Sequence, residues 1–455
     1  MTTLDTLLSR GSLERALNGC GAALACAVVA AVSLGASPAE AVPRMSLTAG
    51  TPCIACHVNP TGGGMRTELG YGSMSDVGAI TWSDLGLTSE DSVGSNSFFD
   101  GVLALGVDAR LQTARLGNPT LDETGDEPEV IYPGYTTFPM QLQPYLAVRP
   151  LTGLTLYGSF VAGPETLRGG EFCDTVFPGM SCYEAFALYE PTGYWPTVRG
   201  GVFQPAIGIR HDDHTLFVRG DARDRRRPII PPSYAEPGAE ITIQPVTWFR
   251  TELGGYSTMN LDAALNDASD TADLWPAAYN VRVSFLPYIK IPIGGDEGAD
   301  DGFGDDDFGD DFGDDFGDDF GDDFGGGESF VINSWFGGSA YGSGDFLMLN
   351  GFAGLGIHEG LALVAEVSTS RRTLQYDTFN QWLGLWYTPF AWLTAGARVE
   401  RARTTTANDE DVALSYVGSL EFFPVPNVEI RPEYRLVDTE DYLFGQATVQ
   451  LHLFY

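Results

Sequence analysis

From residue 97 onward the chain alternates between apolar and polar positions. In FFDGVLALGVDARLQ, Leu103, Leu105, Val107, Ala109 and Leu111 fall on one side of an extended chain, and Ala104, Gly106, Asp108, Arg110 and Gln112 fall on the other. YNVRVSF sets Tyr279, Val281, Val283 and Phe285 against Asn280, Arg282 and Ser284, and NVEIRPEYRLVD sets Val428, Ile430, Tyr434 and Leu436 against Glu429, Arg431, Glu433 and Arg435. A period of two predicts strands. About sixteen such segments follow one another: near 98–113, 138–149, 153–162, 183–190, 195–207, 238–245, 247–257, 277–289, 329–340, 345–357, 360–370, 376–388, 391–402, 412–423, 426–437 and 443–455. No long apolar run or amphipathic helix interrupts them.

One apolar face opposite one polar face fits a sandwich in water or a barrel in lipid. The final TVQLHLFY favours the barrel. Val449, Leu451, Leu453 and Tyr455 alternate with Gln450, His452 and Phe454, and this looks like the terminal strand of bacterial outer-membrane barrels. With the N-terminus in the periplasm, the tight turns PLTG, EPTG, QPV, HEG, TPFA and PVPN all fall on the periplasmic side. The longer loops are then expected outside, as in single-chain bacterial barrels of even strand number. The predicted fold class is all-β, an antiparallel transmembrane barrel over 97–455.

Residues 1–41 read differently. Arg10 and Arg15 precede an uncharged Ala/Val/Leu-rich run, and Ala39-Glu40-Ala41 offers a small-x-small cleavage site, the pattern of a secretory signal peptide. Its removal takes Cys20 and Cys26 away and leaves Cys53, Cys56, Cys173 and Cys182. An exported chain meets oxidising conditions, and Cys173 and Cys182 bracket the loop DTVFPGMS, so this pair is expected as a disulfide.

Cys53-Ile54-Ala55-Cys56-His57 is another matter. A zinc site wants four ligands, and one Cys pair with one His supplies three. Cys-x-x-Cys-His is the attachment box of c-type haem. On one helical turn the two thiols share a face and reach the two vinyl groups, and His57 is delivered to the iron. One covalent haem c on Cys53, Cys56 and His57 is therefore expected within a module spanning 42–96, a stretch too short for a sizeable core of its own. The sixth iron ligand stays open among Met45, Met65, Met74 and a vacant position, with Met65 the nearest after the glycines of NPTGGG.

Charge changes the picture in one place. Residues 294–328 contain a Phe-Gly-Asp-Asp repeat with sixteen acidic residues and no basic one, and removing it would take the formal net charge from −36 to −20. Such composition predicts a disordered loop. By strand parity it hangs on the periplasmic side, either as a passive solvated tract or as a docking segment for a basic cytochrome or divalent cations. The acidic balance disfavours nucleic acid as a partner. His211, Asp212, Asp213 and His214 read as a solvated outer loop, and His358 and His452 show no partner in the sequence.

A single haem box just after an export signal, then NPTGGGMRTELGYG, then a barrel of about sixteen strands, resembles the fused monohaem cytochrome–porins of the outer membrane, the family that includes iron-oxidising outer-membrane cytochromes. The resemblance implies an outer-membrane electron-transfer protein passing electrons between a periplasmic carrier and an extracellular donor or acceptor, ferrous iron among them. The haem module would plug the lumen or sit at its periplasmic side, with lumen charges such as Glu429, Arg431, Arg398 and Glu400 around it. The alternative is a substrate porin in which the module is a structural plug or redox sensor. No catalytic residue set is legible.

Overall fold

The computed structural model describes residue 47 and residues 56–455 apart from 75–76, 87–94, 116–119, 123–128, 132–133, 164–166, 168–178, 192–195, 212–215, 224–227, 232, 266–276, 293–328, 358–359, 373–374 and 441–442. The signal segment, Cys53, Cys173, Asp212, Asp213, His214, His358 and the acidic repeat lie outside the described residues.

The alternating segments form β1 (Leu103–Arg115), β2 (Tyr135–Leu151), β3 (Leu154–Phe160), β4 (Tyr183–Tyr189), β5 (Thr197–Phe203), β6 (Glu236–Val246), β7 (Phe249–Tyr256) and β8 (Ala278–Phe285, continued by Tyr288–Pro292). The second half gives β9 (Ser329–Ser343), β10 (Phe346–Ile357), β11 (Leu361–Arg372), β12 (Tyr376–Phe390), β13 (Leu393–Thr405), β14 (Glu410–Val425), β15 (Val428–Thr439) and β16 (Leu443–Phe454). Each pairs antiparallel with the next, and β16 pairs with β1 through Leu453↔Ala109 and Leu451↔Leu111, so the sheet closes into a 16-strand barrel. Val107 and Tyr455 exchange both backbone hydrogen bonds at this seam, at 2.9 and 2.8 Å. Closure matters physically, because an unpaired edge in hydrocarbon would strand its backbone donors and acceptors.

The alternation is realised as expected. Leu105, Leu111, Leu146, Leu253, Val281, Leu349 and Val449 point outward and are exposed, while Asp108, Asn280, Glu400 and Glu429 point inward and are buried. Each outward Leu or Val is worth roughly 1.5–3 kcal/mol once lipid replaces water around it. Phe249 meets Phe285 at a tilt at 5.3 Å, Phe285 stacks on Phe336 at 5.1 Å, and Phe390 and Trp392 stack at 5.0 Å on the same rim, marking one interfacial aromatic belt. No helix among the described residues is long and apolar enough to cross a membrane.

The connections at the two ends differ, though not quite as the sequence suggests. Four at one end are tight two-residue turns, as expected, Thr152–Gly153, Thr247–Trp248, Ala391–Trp392 and Pro426–Asn427, while the connection from Pro292 to Ser329 at that end is long. Asn427 takes a left-handed φ of 67° and Gly153 one of 76°, which such turns require. At the other end only the first four connections are long; those after β9, β11, β13 and β15 are tight as well. β8 is broken at Leu286–Pro287, because proline brings no N–H to the ladder; Ser334 instead donates its N–H to the Pro287 carbonyl at 3.1 Å. β5 stops at Phe203 rather than at 207, because the chain there turns into the barrel.

Candidate functional site

Two segments enter the lumen, one from each end. The first precedes β1. Cys56 is helical, and His57 already pairs with Arg66 in an antiparallel bridge. Val58 N–H to Met65 O (3.0 Å) and Thr67 N–H to Cys56 O (3.0 Å) complete a small hairpin. Its tip is held by Asn59, whose Oδ1 accepts the Thr61 N–H at 3.2 Å and hydroxyl at 2.9 Å. Gly62, Gly63 and Gly64 follow with φ of 83°, 71° and 67°, three consecutive left-handed positions that only glycine adopts cheaply. The chain then enters α1 (Glu68–Gly72), capped by the Thr67 hydroxyl, which accepts the Gly70 N–H at 3.1 Å.

The barrel wall grips this hairpin. Arg199 of β5 donates Nη1 to Asn59 Oδ1 at 2.7 Å and Nη2 to Glu240 Oε1 at 2.7 Å. Arg250 of β7 donates to the Pro60 carbonyl at 3.3 Å while paired to Glu252 at 2.8 Å. Val58 and Met65 pack into the wall cluster of Tyr145, Tyr157 and Phe186. On the opposite side Arg66 lies over the Phe454 ring at 4.0 Å, and Tyr71 meets Tyr455 edge-on at 5.1 Å. Enclosure pulls the Arg66 guanidinium below its usual range, with Asp108 and Glu429 opposing the shift. Burial, then Tyr455, pushes the Tyr71 phenol up to about 12. Further along, Ala79 and Ile80 hydrogen-bond the Phe423 and Pro424 carbonyls at the short-turn end of β14, and Asn333 of β9 donates to Leu47 O at 2.8 Å. The segment thus spans the short-turn mouth from wall to wall.

The second inward segment is the connection from β5 to β6, which crosses to the far wall. Gly208 N–H reaches Ser339 of β9 (2.7 Å), Phe217 N–H reaches Glu400 of β13 (3.0 Å), and Ala222 N–H reaches Thr404 (2.9 Å). Asn380 of β12 donates to Gly220 O at 2.8 Å, and Arg219 donates to the Ile207 and Ile209 carbonyls. This corrects the reading of His211 as part of a solvated outer loop. Its Nε2 is 2.9 Å from Glu366 Oε2, and its ring stands edge-on to Trp382 at 5.2 Å, inside the barrel. The two segments meet: a methyl at Gly63 would lie 2.8 Å from Arg210 Nε.

The remaining lumen wall is a ladder of paired charges. Arg398 binds Glu400 at 2.5 Å and Arg431 binds Glu429 at 2.8 Å. His452 is not isolated: Nδ1 is 3.0 Å from Glu429 Oε2 and Nε2 is 3.1 Å from Asp108 Oδ2. Arg398–Glu400 and Arg431–Glu429 lie two residues apart on one strand, whereas His452 meets Asp108 only because β16 closes onto β1, a contact no local pattern shows. The inward loop did leave a signal, in that Ile207, Ile209, Phe217, Val218, Ile229 and Ile230 are too apolar for an exposed connection.

Of the expected haem residues, Cys56 and His57 are described and both are half-buried at the lumen mouth. No group of three or more His, Cys, Asp or Glu that could hold a bare metal ion occurs among the described residues. A lone imidazole next to a thiol suits a metal that brings its own ring of ligands, so the donor set fits haem c. Met65, the favoured sixth ligand, is packed in the wall cluster against Tyr145 and Tyr157, and Met74 is packed against Phe423 and Phe454. Cys182 is disulfide-bonded, and its expected partner Cys173 lies outside the described residues.

No family model matches this sequence, and no curated protein matches it. Among solved structures, the chain is similar to OmpF of Salmonella typhi (11% identity, TM-score 0.46, covering 79% of this chain and 99% of that one). It is also similar to the outer membrane channel DcaP of Acinetobacter baumannii (9%, TM-score 0.46, 78% and 97%) and to OmpT of Vibrio cholerae (7%, TM-score 0.39, 78% and 97%). At such identities and TM-scores these likenesses carry no information about what this chain binds or does.

Proposed function

We propose that this chain is an outer-membrane barrel of porin type whose lumen is controlled by its own N-terminal segment. The observation that carries the reading is the pair of inward segments meeting at Gly63 and Arg210 inside a charged, closed barrel. A lumen lined by Arg–Glu pairs suits passage of small polar solutes, and the segment before β1 restricts it. Proteoliposome swelling tests this. Wild type should pass small solutes slowly, and Arg250→Ala, which loosens the hold on Pro60, should pass them faster. If neither protein gives swelling above empty liposomes, the channel reading is wrong.

A second reading is supported by Cys56 and His57 in that same plug: electron transfer across the outer membrane. Cys53 and Cys56 would hold haem c by thioether bonds, and His57 would ligate its iron. The group would supply a one-electron carrier. The chain's own part is to exclude water from it with Met65, Tyr145 and Tyr157 and to fix its potential through Arg66. Extracellular ferrous iron as donor, and a basic periplasmic cytochrome drawn by the acidic repeat, belong to this reading. A haem stain and a reduced-minus-oxidised spectrum of the purified protein test it, with Cys53→Ala/Cys56→Ala as the control. A spectrum without haem bands overturns it.

A further inference from the structure

One feature of the lumen begins where the plug packs and extends well beyond it. Seven aromatic rings run in an unbroken series from the plug to the long-loop end. Tyr145 and Tyr157 flank Met65 and Gly64; the Tyr157 hydroxyl would be 3.2 Å from a methyl at Gly64. From there the centroid steps are Tyr145–Tyr157 6.5 Å, Tyr157–Phe186 4.6 Å, Phe186–Phe203 6.0 Å, Phe203–Tyr256 5.7 Å, Tyr256–Tyr341 6.2 Å and Tyr341–Tyr234 6.1 Å. The rings come from β2, β3, β4, β5, β7, β9 and the inward loop, one after another around the wall. The same cluster continues through Phe346 and Met348 to Tyr376, which is partly exposed at the long-loop rim.

The outer phenols are furnished with proton acceptors. Tyr256 donates to Glu240 Oε2 at 2.8 Å, and Tyr234 donates to Glu236 Oε1 at 3.0 Å while its oxygen lies 2.6 Å from that of Tyr341. A phenol gives up an electron far more readily when its proton can leave along an existing hydrogen bond. Phe186, Phe203 and Tyr157 have no such carboxylate partner among the described contacts and serve as bridges.

We propose that this series is a relay for single electrons between the plug at Cys56–His57 and the tyrosines at the long-loop end. It rests on the electron-transfer reading given above and addresses its main difficulty where the group at the plug is raised to an oxidation level above its ordinary iron(III)/iron(II) couple, which does not oxidise a phenol. One redox group at a single mouth cannot serve a membrane band about 25 Å tall, since tunnelling falls exponentially with distance. A high-potential one-electron oxidant at the plug, of the class of a metal(III) polypyridyl or a peroxide-oxidised iron porphyrin, accepts one electron across Tyr157, Phe186 and Phe203 from Tyr256. The Tyr256 proton passes to the Glu240 carboxylate, leaving a neutral phenoxyl. An external one-electron donor then restores the phenol, with the proton returned from Glu240.

The test needs no haem. In a Cys53→Ala variant, Cys56 is labelled with a ruthenium(II) polypyridyl and flashed with an electron-accepting quencher in the full-length barrel in micelles. The expected result is a phenoxyl signal by electron paramagnetic resonance. That signal should be lost in Phe203→Leu, which cuts the bridge. In Tyr256→Phe, which keeps the ring, its hyperfine pattern should change as the radical moves to Tyr341 and Tyr234. Absence of a phenoxyl signal in the labelled protein, an undiminished signal in Phe203→Leu, or a spectrum unaltered by Tyr256→Phe would each overturn the relay. If Phe203→Leu fails to fold, the Tyr256→Phe spectrum decides. Haem content of the unlabelled protein is measured separately, so the relay and the reading beneath it can fail independently.

Discussion

Gly70 backs directly onto Cys56: a methyl in place of its hydrogen would lie 2.1 Å from the Cys56 carbonyl oxygen. α1 can cover the hairpin only because residue 70 has no side chain. Gly70→Ala should therefore lift α1 from Cys56, at a cost of about 1–3 kcal/mol. Limited proteolysis should nick the N-terminal segment faster while the barrel keeps its heat-modifiable migration. Unchanged cleavage would show that the segment adjusts without strain.

Arg199 ties the plug to the wall and also neutralises Glu240, both nearly fully buried. Arg199→Met should destabilise the barrel by roughly 3–5 kcal/mol, because it leaves a buried carboxylate without its cation. Arg199→Met/Glu240→Gln should recover much of that loss. Denaturant unfolding of the two variants measures the difference, and equal midpoints would contradict it.

His452 bridges the carboxylates of Asp108 on β1 and Glu429 on β15, the strands either side of β16. His452→Phe removes the donor between them and should cost about 1–3 kcal/mol. Amide hydrogen exchange should rise first along β16 and β1. If exchange rises evenly around the ring, His452 is not holding the seam.

The Tyr71 phenol, pushed from 10.0 up to about 12, makes the plug sensitive to alkali. A raised phenol favours the folded state fully below its unfolded value, and that contribution is lost as pH climbs from about 10 to about 12. Protection factors in 56–74, corrected for the base-catalysed rise that every amide shows, should fall across that window, and Tyr71→Phe should abolish the fall. A transition that persists in Tyr71→Phe would assign it elsewhere.

Non-reducing peptide mapping should return Cys182 linked to Cys173. Reduction should loosen the loop between β3 and β4 by about 2–3 kcal/mol, the value for a short closed loop. A Cys182 peptide linked to any other cysteine would refute the pairing.

Much of the barrel was legible because its alternation is local. Leu105 against Asp108, or Val281 against Asn280, declares its face within a few residues. The plug and the inward loop were not legible in the same way. Arg199 meets Asn59, and His211 meets Glu366, only after the ring has brought distant strands together. His211 sits beside Asp212 and Asp213 in the sequence, and that polar neighbourhood outweighed the apolar Ile207 and Ile209 just before it. The Cys-x-x-Cys-His box is the reverse case, a motif read by its chemistry alone, of which Cys56 and His57 lie among the described residues and Cys53 does not.

Arg66 lies on Phe454, and Tyr71 on Tyr455, so the plug is held by the strand that closes the ring. The rings of the closing strand are thus shared between seam and plug. Whatever loosens the hairpin takes two partners from the strand that completes the ring, and fraying of that strand releases the hairpin in turn.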